Sequence, residues 1–376
     1  MKNKITYLWQ LGREIVGFER VKVEKLTAVL IGITILVIAA GGVIRIYDAG
    51  ESCPDWPTCF GTWGFDVSED EQREWFEENP EETDSRGSSH TYTSFQIFTE
   101  WIHRLLAGTI LGPLVLLNWW LVKKDQELSK EVMLASSASV ILIIWQGFLG
   151  FVTVKMDNQH WSVALHLASA LLFLMCLIWI WLATVREKEE MPAWLIFDPI
   201  LANKWKNRIL LLSFGTFITL FVGVFVSTTP GANQGCGVSG FPNSWPLCNS
   251  TWEVKISNFE AESQIIHRQI VGLIGIVLII ASYFIWRESK DEEYGSLLRG
   301  WIWLATALYL FNIGLGGLYV LSAKLDGFEI TFFELLSLLH LMLASTVFII
   351  ITTLLLAIKI VTLYDNNYLL SDNSGQ

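Results

Sequence analysis

Four histidines stand inside long apolar segments of this 376-residue chain: His103, His166, His267 and His340. Histidine is costly in lipid and is kept there mainly for function. The first two return as the second two, roughly 165–175 residues later. Neutral imidazole is a common metal ligand. Two imidazoles facing each other across a helix bundle suit the two axial faces of one large, flat metal group. The repeats differ at one position that matters chemically. Glu100 stands three residues before His103, on the same helix face, whereas Gln264 stands three before His267. A carboxylate beside a reacting carbon can accept its proton or stabilise positive charge developing there. An amide carries no charge. Chemistry is therefore expected at the first pair and electron transfer at the second.

The elements that must position these residues are membrane helices. The chain is 52% apolar and only 17% charged, with a mean hydropathy of +0.44. The apolar residues cluster into eight spans, roughly 26–47, 97–122, 132–154, 162–185, 209–228, 264–286, 299–321 and 332–358. Each is near the ~20 residues needed to cross a bilayer core. Residues 1–25 are charged and amphipathic, without the short apolar run of a cleavable signal, so the first span is expected to target the chain. Even-numbered spans then run from the outer face inwards. The four histidines lie ~6–13 Å below their outer ends, at ~1.5 Å per residue.

Several motifs repeat in order. Glu100-Trp-Ile-His103-Arg104 matches Gln264-Ile-Ile-His267-Arg268, and Gly108 matches Gly272. Gly150-Phe-Val-Thr-Val154 matches Gly316-Gly-Leu-Tyr-Val320, and Leu165-His166-Leu167 matches Leu339-His340-Leu341. Trp56-Pro-Thr-Cys59 matches Trp245-Pro-Leu-Cys248. The expected fold is an all-α integral membrane protein, with eight transmembrane helices in two parallel four-helix bundles related by a pseudo-two-fold axis along the membrane normal. The boundaries are a tail over 1–25, a first repeat over 26–185, a linker over 186–208, a second repeat over 209–358 and a tail over 359–376.

Lys and Arg set the orientation. The side holding both termini carries 18 of them against five in the opposite loops, so both termini are expected in the cytoplasm. The net charge of −11 comes mainly from residues 48–94, which hold 13 acidic residues against Arg73 and Arg86. No basic patch is present to bind nucleic acid. The part of that loop from 66 to 94 reads as a solvated, mobile insertion. Cys53 and Cys59 share the first outer loop, and Cys236 and Cys248 the third, which on an oxidising face suggests two disulfides, free thiols or a metal site being the alternatives. Cys176 is mid-span and reads as an inert buried thiol. Arg45, Arg104 and Arg268, near outer span ends, either snorkel to lipid headgroups or pair with carboxylates of a bound group. His90 reads as solvated and His160 as interfacial packing.

Haem meets these requirements best. Zinc would need tetrahedral ligands that two histidines per half do not supply. A bis-histidine dihaem electron carrier without its own chemistry is the main alternative, although cytochromes of that kind usually stack both ligand pairs on two helices. A transporter fits less well, because the spans lack mid-depth breaks or charges.

At these residues the chain resembles the haem A synthase family. The matching elements are Gly41-Gly-Val-Ile-Arg45, Cys53-Pro-Asp-Trp-Pro-Thr-Cys59, Glu100-x-x-His103-Arg-Leu-Leu-Ala-Gly108, Gln146-Gly-Phe-Leu-Gly150 with Thr153-Val154, His166-Leu167, and the His267 and His340 elements. The resemblance implies oxidation of the C8 methyl of haem O to the formyl group of haem A, through two hydroxylations and loss of water. It implies that His103 and His166 hold the substrate haem, that Glu100 is the catalytic carboxylate, and that His267 and His340 hold a permanent haem b. It places a disulfide between Cys53 and Cys59 near the reacting haem, and makes haem O synthase and the terminal oxidase the expected partners, besides membrane lipid. Self-association is left open. The setting would be a prokaryotic plasma membrane, or by analogy the mitochondrial inner membrane. The stretch from Cys59 to Glu100 is longer and more acidic than the family pattern, the second cysteine pair is spaced more widely than the first, and Asn312 replaces Gln146.

Overall fold

The computed structural model describes residues 2–84, 86–188, 191–229, 231–253, 258–290, 295–322 and 330–373. Those residues are helical apart from loops and two isolated bridges, Cys59 with Thr62 and Cys248 with Thr251. Helices α1 (Lys2–Ile46), α2 (Glu69–Glu78), α3 (Ser94–Arg104), α4 (Gly112–Lys124), α5 (Lys130–Lys155), α6 (His160–Glu187), α7 (Pro199–Thr228), α8 (Phe259–Glu288), α9 (Gly295–Ser322) and α10 (Ile330–Asn373) follow one another. Eight helical stretches are long and apolar enough to cross a membrane, and they coincide with the eight expected spans. The helices run further than hydropathy marks. The first continues back to Lys2, α7 starts at Pro199 within the expected linker, and α10 runs on into the expected C-terminal tail as far as Asn373. The start of α7 follows from its chemistry: the Asp198 side chain accepts from Leu201 N at 2.7 Å, and Pro199 brings its preset φ to the first turn.

Within the first half α1 packs on α3, α4 and α6, α4 on α5, and α5 on α6; within the second α7 packs on α8 and α10, α8 on α9, and α9 on α10. The halves meet where α6 lies against α7 and α10, and α1 against α10. Gly42 lets α1 approach the Leu338 and Leu341 side chains of α10 closely. An apolar core of α6, α7, α8, α9 and α10 side chains, including Leu174, Trp205, Leu278, Ile302 and Phe348, joins the halves. A second, with Val23, Leu30, Val115, Val132 and Leu177, fills the first half. Large apolar side chains such as Ile141, Ile144, Leu211, Phe214 and Leu273 face outwards, as lipid contact requires. At the end away from the cysteine loops Trp179 donates to Glu131 and Trp205 to Glu288, while Lys123 and Lys124 lie over Trp119 and Trp120. This is the amphipathic chemistry of a membrane interface.

The segment 66–94 departs from expectation. It is a folded cap, because its few apolar residues find partners that composition does not reveal. Phe76, Val67 and Tyr92 join Cys53, Cys59, Phe60 and Ile97 in a small core. Ser68 and Glu71 form a full capping box at the start of α2. Buried Gln72 bonds the backbone of Val67 and Tyr92. Arg86 gathers Asp48, Glu51, Asp84 and Tyr92 around one guanidinium. Burial pushes the Glu51 carboxyl above its ordinary value, against the pull of Arg86. Burial and the bond to Asp84 likewise raise the Tyr92 hydroxyl. Lys155 of α5 pairs with Glu82, and Asn158 with Glu51, so the cap is tied to the turn between α5 and α6. Arg86→Ala would leave two largely buried carboxylates without their cation, a loss of about 2–4 kcal/mol after allowing for partial exposure. The expected result is faster protease cleavage within 66–94 with the membrane helices intact. Unchanged cleavage would mean that the apolar core alone holds the cap.

Candidate functional site

The candidate side chains lie on α3, α6, α8 and α10 near the cysteine loops, between about six and ten residues past the helix starts. Both cysteine pairs are bonded, Cys53–Cys59 and Cys236–Cys248, and their loops cover this end of the molecule. Cys176 is a free, partly buried thiol. The wider spacing of the second pair proves compatible with bonding, because its loop closes through the same Cys–x–x–Thr bridge as the first.

His103 on α3 and His166 on α6 belong to the first half, and His267 on α8 and His340 on α10 to the second. The Nδ1 atoms of His103, His166 and His267 are enclosed and make no hydrogen bond of normal geometry. His340 Nδ1 lies 3.1 Å from the Asn312 carbonyl, which leaves its Nε2 free when Nδ1 carries the proton. On each ring, Nε2 is the nitrogen left to take a metal when Nδ1 carries the proton. Among the described residues no group of three or more His, Cys, Asp or Glu gathers as a metal cage. The donor set in each half is thus two imidazoles, which fits a planar metal group with its own equatorial ligands and does not fit a bare ion.

Glu100 is held completely. Its Oε2 accepts from Cys53 N at 2.9 Å and Ser52 Oγ at 3.1 Å, and its Oε1 from Arg104 at 2.5 Å. Arg104 also donates to the carbonyls of Cys53, Asp55 and Thr58. The second half repeats this arrangement with an amide. Gln264 donates to the Ala232 carbonyl at 2.9 Å and accepts from Arg268, which also donates to the carbonyls of Ser244 and Leu247. Glu100 and Gln264 are each 4% exposed, so the two sites differ in charge and not in burial. In this structure Arg104 and Arg268 fasten the cysteine loops to their helices, using four and three acceptors of the five N–H groups each guanidinium carries. Arg45 differs. It donates to the Ser227 carbonyl across the seam between halves and lies 3.8 Å from Asp48, while its Nε is enclosed without a partner.

Sequence reasoning missed Ser52, whose one hydroxyl proton has the Ala49 carbonyl at 2.7 Å, the Gln96 carbonyl at 3.0 Å and Glu100 at 3.1 Å within reach. A serine beside a cysteine in an outer loop carries no signal of that kind. Gln146 and Asn312 do not share a role. Gln146 donates to Ser169 and the His166 carbonyl, whereas Asn312 acts through its backbone. His160 stacks on Phe259, consistent with packing between the halves, and His90 lies edge-on to Tyr92 within the cap.

Two further differences separate the halves. After His103 the helix widens into a π turn over Leu105–Leu111 before α4. Pro113, second in α4, lacks an N–H and crowds the preceding turn, and Gly112 N bonds Ala107 O instead. The matching stretch of α8 is regular helix. In addition, Trp56 is 65% exposed beside an apolar groove of about 450 Å³, lined with Ile144, Gly147, Phe148 and Phe151 of α5. Its counterpart Trp245 lies directly over Gly317 of α9.

A model of the cytochrome oxidase assembly protein family matches residues 24–326. The chain belongs to this family. The match takes in Glu100, His103, His166 and His267 and ends before His340. Among curated relatives, Heme A synthase of Halalkalibacterium halodurans is 25% identical over 265 residues, covering 70% of this chain and 76% of the relative. Heme A synthase of Pelagibacter ubique is 24% identical over 353 residues, 86% of this chain and 93% of its own. The protein of the same name from Shewanella oneidensis is 34% identical over 151 residues, 40% and 42% of the two chains. The resemblance to the haem A synthase family read from the motifs holds on this independent ground, and the chain is an integral membrane family member.

Proposed function

We propose that this protein oxidises the C8 methyl of haem O to the formyl group of haem A. Substrate haem is held by His103 and His166 in the first half, and a resident haem b by His267 and His340 in the second. Haem b would supply one-electron transfer when bound there. The observation that carries the assignment of halves is the charge difference between two equally buried side chains, Glu100 and Gln264, each held by the arginine four residues on. The carboxylate would take the proton lost from the methyl carbon, or stabilise positive charge on it. Its bonds to Ser52, Cys53 N and Arg104 fix its position before substrate arrives, which reduces the reorganisation needed during reaction. Arg45 keeps one enclosed N–H free, and Arg45, Arg104 and Arg268 are the guanidiniums that would meet haem propionates. The π turn and the open groove beside Trp56 both fall in the first half, the half that must admit and release its ligand. The side carrying the cysteine loops is assigned to the outer face and the termini to the cytoplasm, on the Lys and Arg distribution. Haem O synthase as supplier and the terminal oxidase as recipient complete the proposed setting.

The test is to purify the full chain in detergent and identify its extracted pigments by mass. Haem O, its hydroxylated form or haem A beside haem b is the expected result. Haem b alone in every preparation, including one supplied with haem O, would replace this reading with that of a bis-histidine electron carrier.

A further inference from the structure

Each of the four histidines meets a glycine on a neighbouring helix of its own half. A Cβ built on Gly41 of α1 would lie 3.4 Å from His103 Cε1, and one on Gly150 of α5 would lie 3.6 Å from His166 Cε1. In the second half, a Cβ on Gly223 of α7 would lie 3.1 Å from His267 Cε1, and one on Gly316 of α9 would lie 2.9 Å from His340 Cε1. All four contacts are made by the same ring carbon. Backbone carbonyls four residues before two of these glycines face the same rings. The Asn312 carbonyl, four before Gly316, lies 3.1 Å from His340 Nδ1. The Val37 carbonyl, four before Gly41, faces the His103 ring without reaching normal hydrogen-bond geometry to Nδ1. Where a side chain is missing, a helix backbone can come near enough to an imidazole to accept its N–H.

We infer that Gly223 and Gly316 are positioning residues that seat His267 and His340 tightly, while Gly41 and Gly150 leave His103 and His166 more room. The inference rests on the ligand assignment proposed above. A ring that binds a metal through one nitrogen is oriented by what its other edge touches. Between a helix backbone at the Cε1 edge and a flat group at Nε2, the ring has little room to turn. An added methyl at Gly316 or Gly223 meets the ring inside ordinary contact distance, so the imidazole must move. The same methyl at Gly41 or Gly150 falls at ordinary contact. Fixed seats suit a haem that stays. Seats with slack suit a haem that is exchanged, and the π turn beside His103 lies on the same, looser side.

The experiment compares Gly316→Ala, Gly223→Ala, Gly41→Ala and Gly150→Ala in the purified full chain. Gly314→Ala serves as control, since Gly314 shares α9 and faces open space. Two readouts report the ligand plane and its hold: the low-spin electron paramagnetic resonance signal of haem b, and the haem b retained on dilution in detergent. Gly316→Ala and Gly223→Ala should shift the signal and weaken haem b retention about 10–100-fold, the usual effect of disturbing a ligand's supporting contacts. The other three variants should match the parent in both. If Gly316→Ala does not accumulate as folded protein, Gly223→Ala carries the same test, since its ring need give by only a few tenths of an ångström. Parental signal and retention in folded Gly223→Ala and Gly316→Ala would overturn the seats while leaving the ligands in place. A haem b signal that survives His340→Ala and His267→Ala would overturn the ligand assignment itself, whatever the glycines do.

Discussion

Glu100→Gln should accumulate as folded protein, keep haem b and form no haem A. The protein supplies the control for this substitution itself. Gln264 occupies the matching place in the second half, equally buried, fastened by Arg268 and a loop carbonyl. A buried glutamine is therefore tolerated beside such an arginine. Glu100→Gln removes the charge and keeps the shape and the Arg104 bond, but its amide loses the bond from Cys53 N, a donor where Gln264 meets the Ala232 carbonyl. The expected fall in product is about 10²–10⁴-fold, the range for loss of a positioned acid or base. Glu100→Ala is the harsher variant. It leaves Arg104 without its carboxylate in a buried setting and would cost about 3–5 kcal/mol of stability besides. Product measured by mass and folding measured by thermal melt separate the two effects. Parental haem A yield from Glu100→Gln would reduce Glu100 to a fastener of the cysteine loop.

The second large effect concerns the other half. His267→Ala or His340→Ala should each abolish the low-spin haem b spectrum, since one imidazole cannot supply two axial ligands. His103→Ala should leave that spectrum in place and stop product formation. The opposite pattern, with the spectrum lost on replacing His103 and kept on replacing His340, would exchange the roles of the halves.

The spans and the duplicated motifs were readable because each rests on local composition: apolar length, histidine in lipid, cysteine on an oxidising face. Glu100 was readable as a difference between aligned positions. Its clamp was not, since Ser52 and the Cys53 amide reach it from a loop 47 or 48 residues away in sequence. The loop contacts of Arg104 and Arg268 were hidden for a related reason. A guanidinium near a span end looks available until the carbonyls of a folded loop are found around it. The cap failed on composition too. Its many acidic residues suggested a solvated chain, yet Phe76, Gln72 and Arg86 each find a partner held elsewhere. Gly223 shows the limit of alignment. The first and fifth spans share little sequence, and only the contact with His267 reveals that Gly223 matches Gly41.

Arg45 and the Ser227 carbonyl meet across the seam between the halves, and each stands four residues beyond its seat glycine. Were two separate four-helix chains to pair in this way, every substitution would appear at both sites at once. A carboxylate gained beside one haem would be gained beside the other. Joining the copies in one polypeptide removes that constraint. One copy can then carry Glu100, a π turn and a folded cap while the other keeps Gln264 and a regular helix.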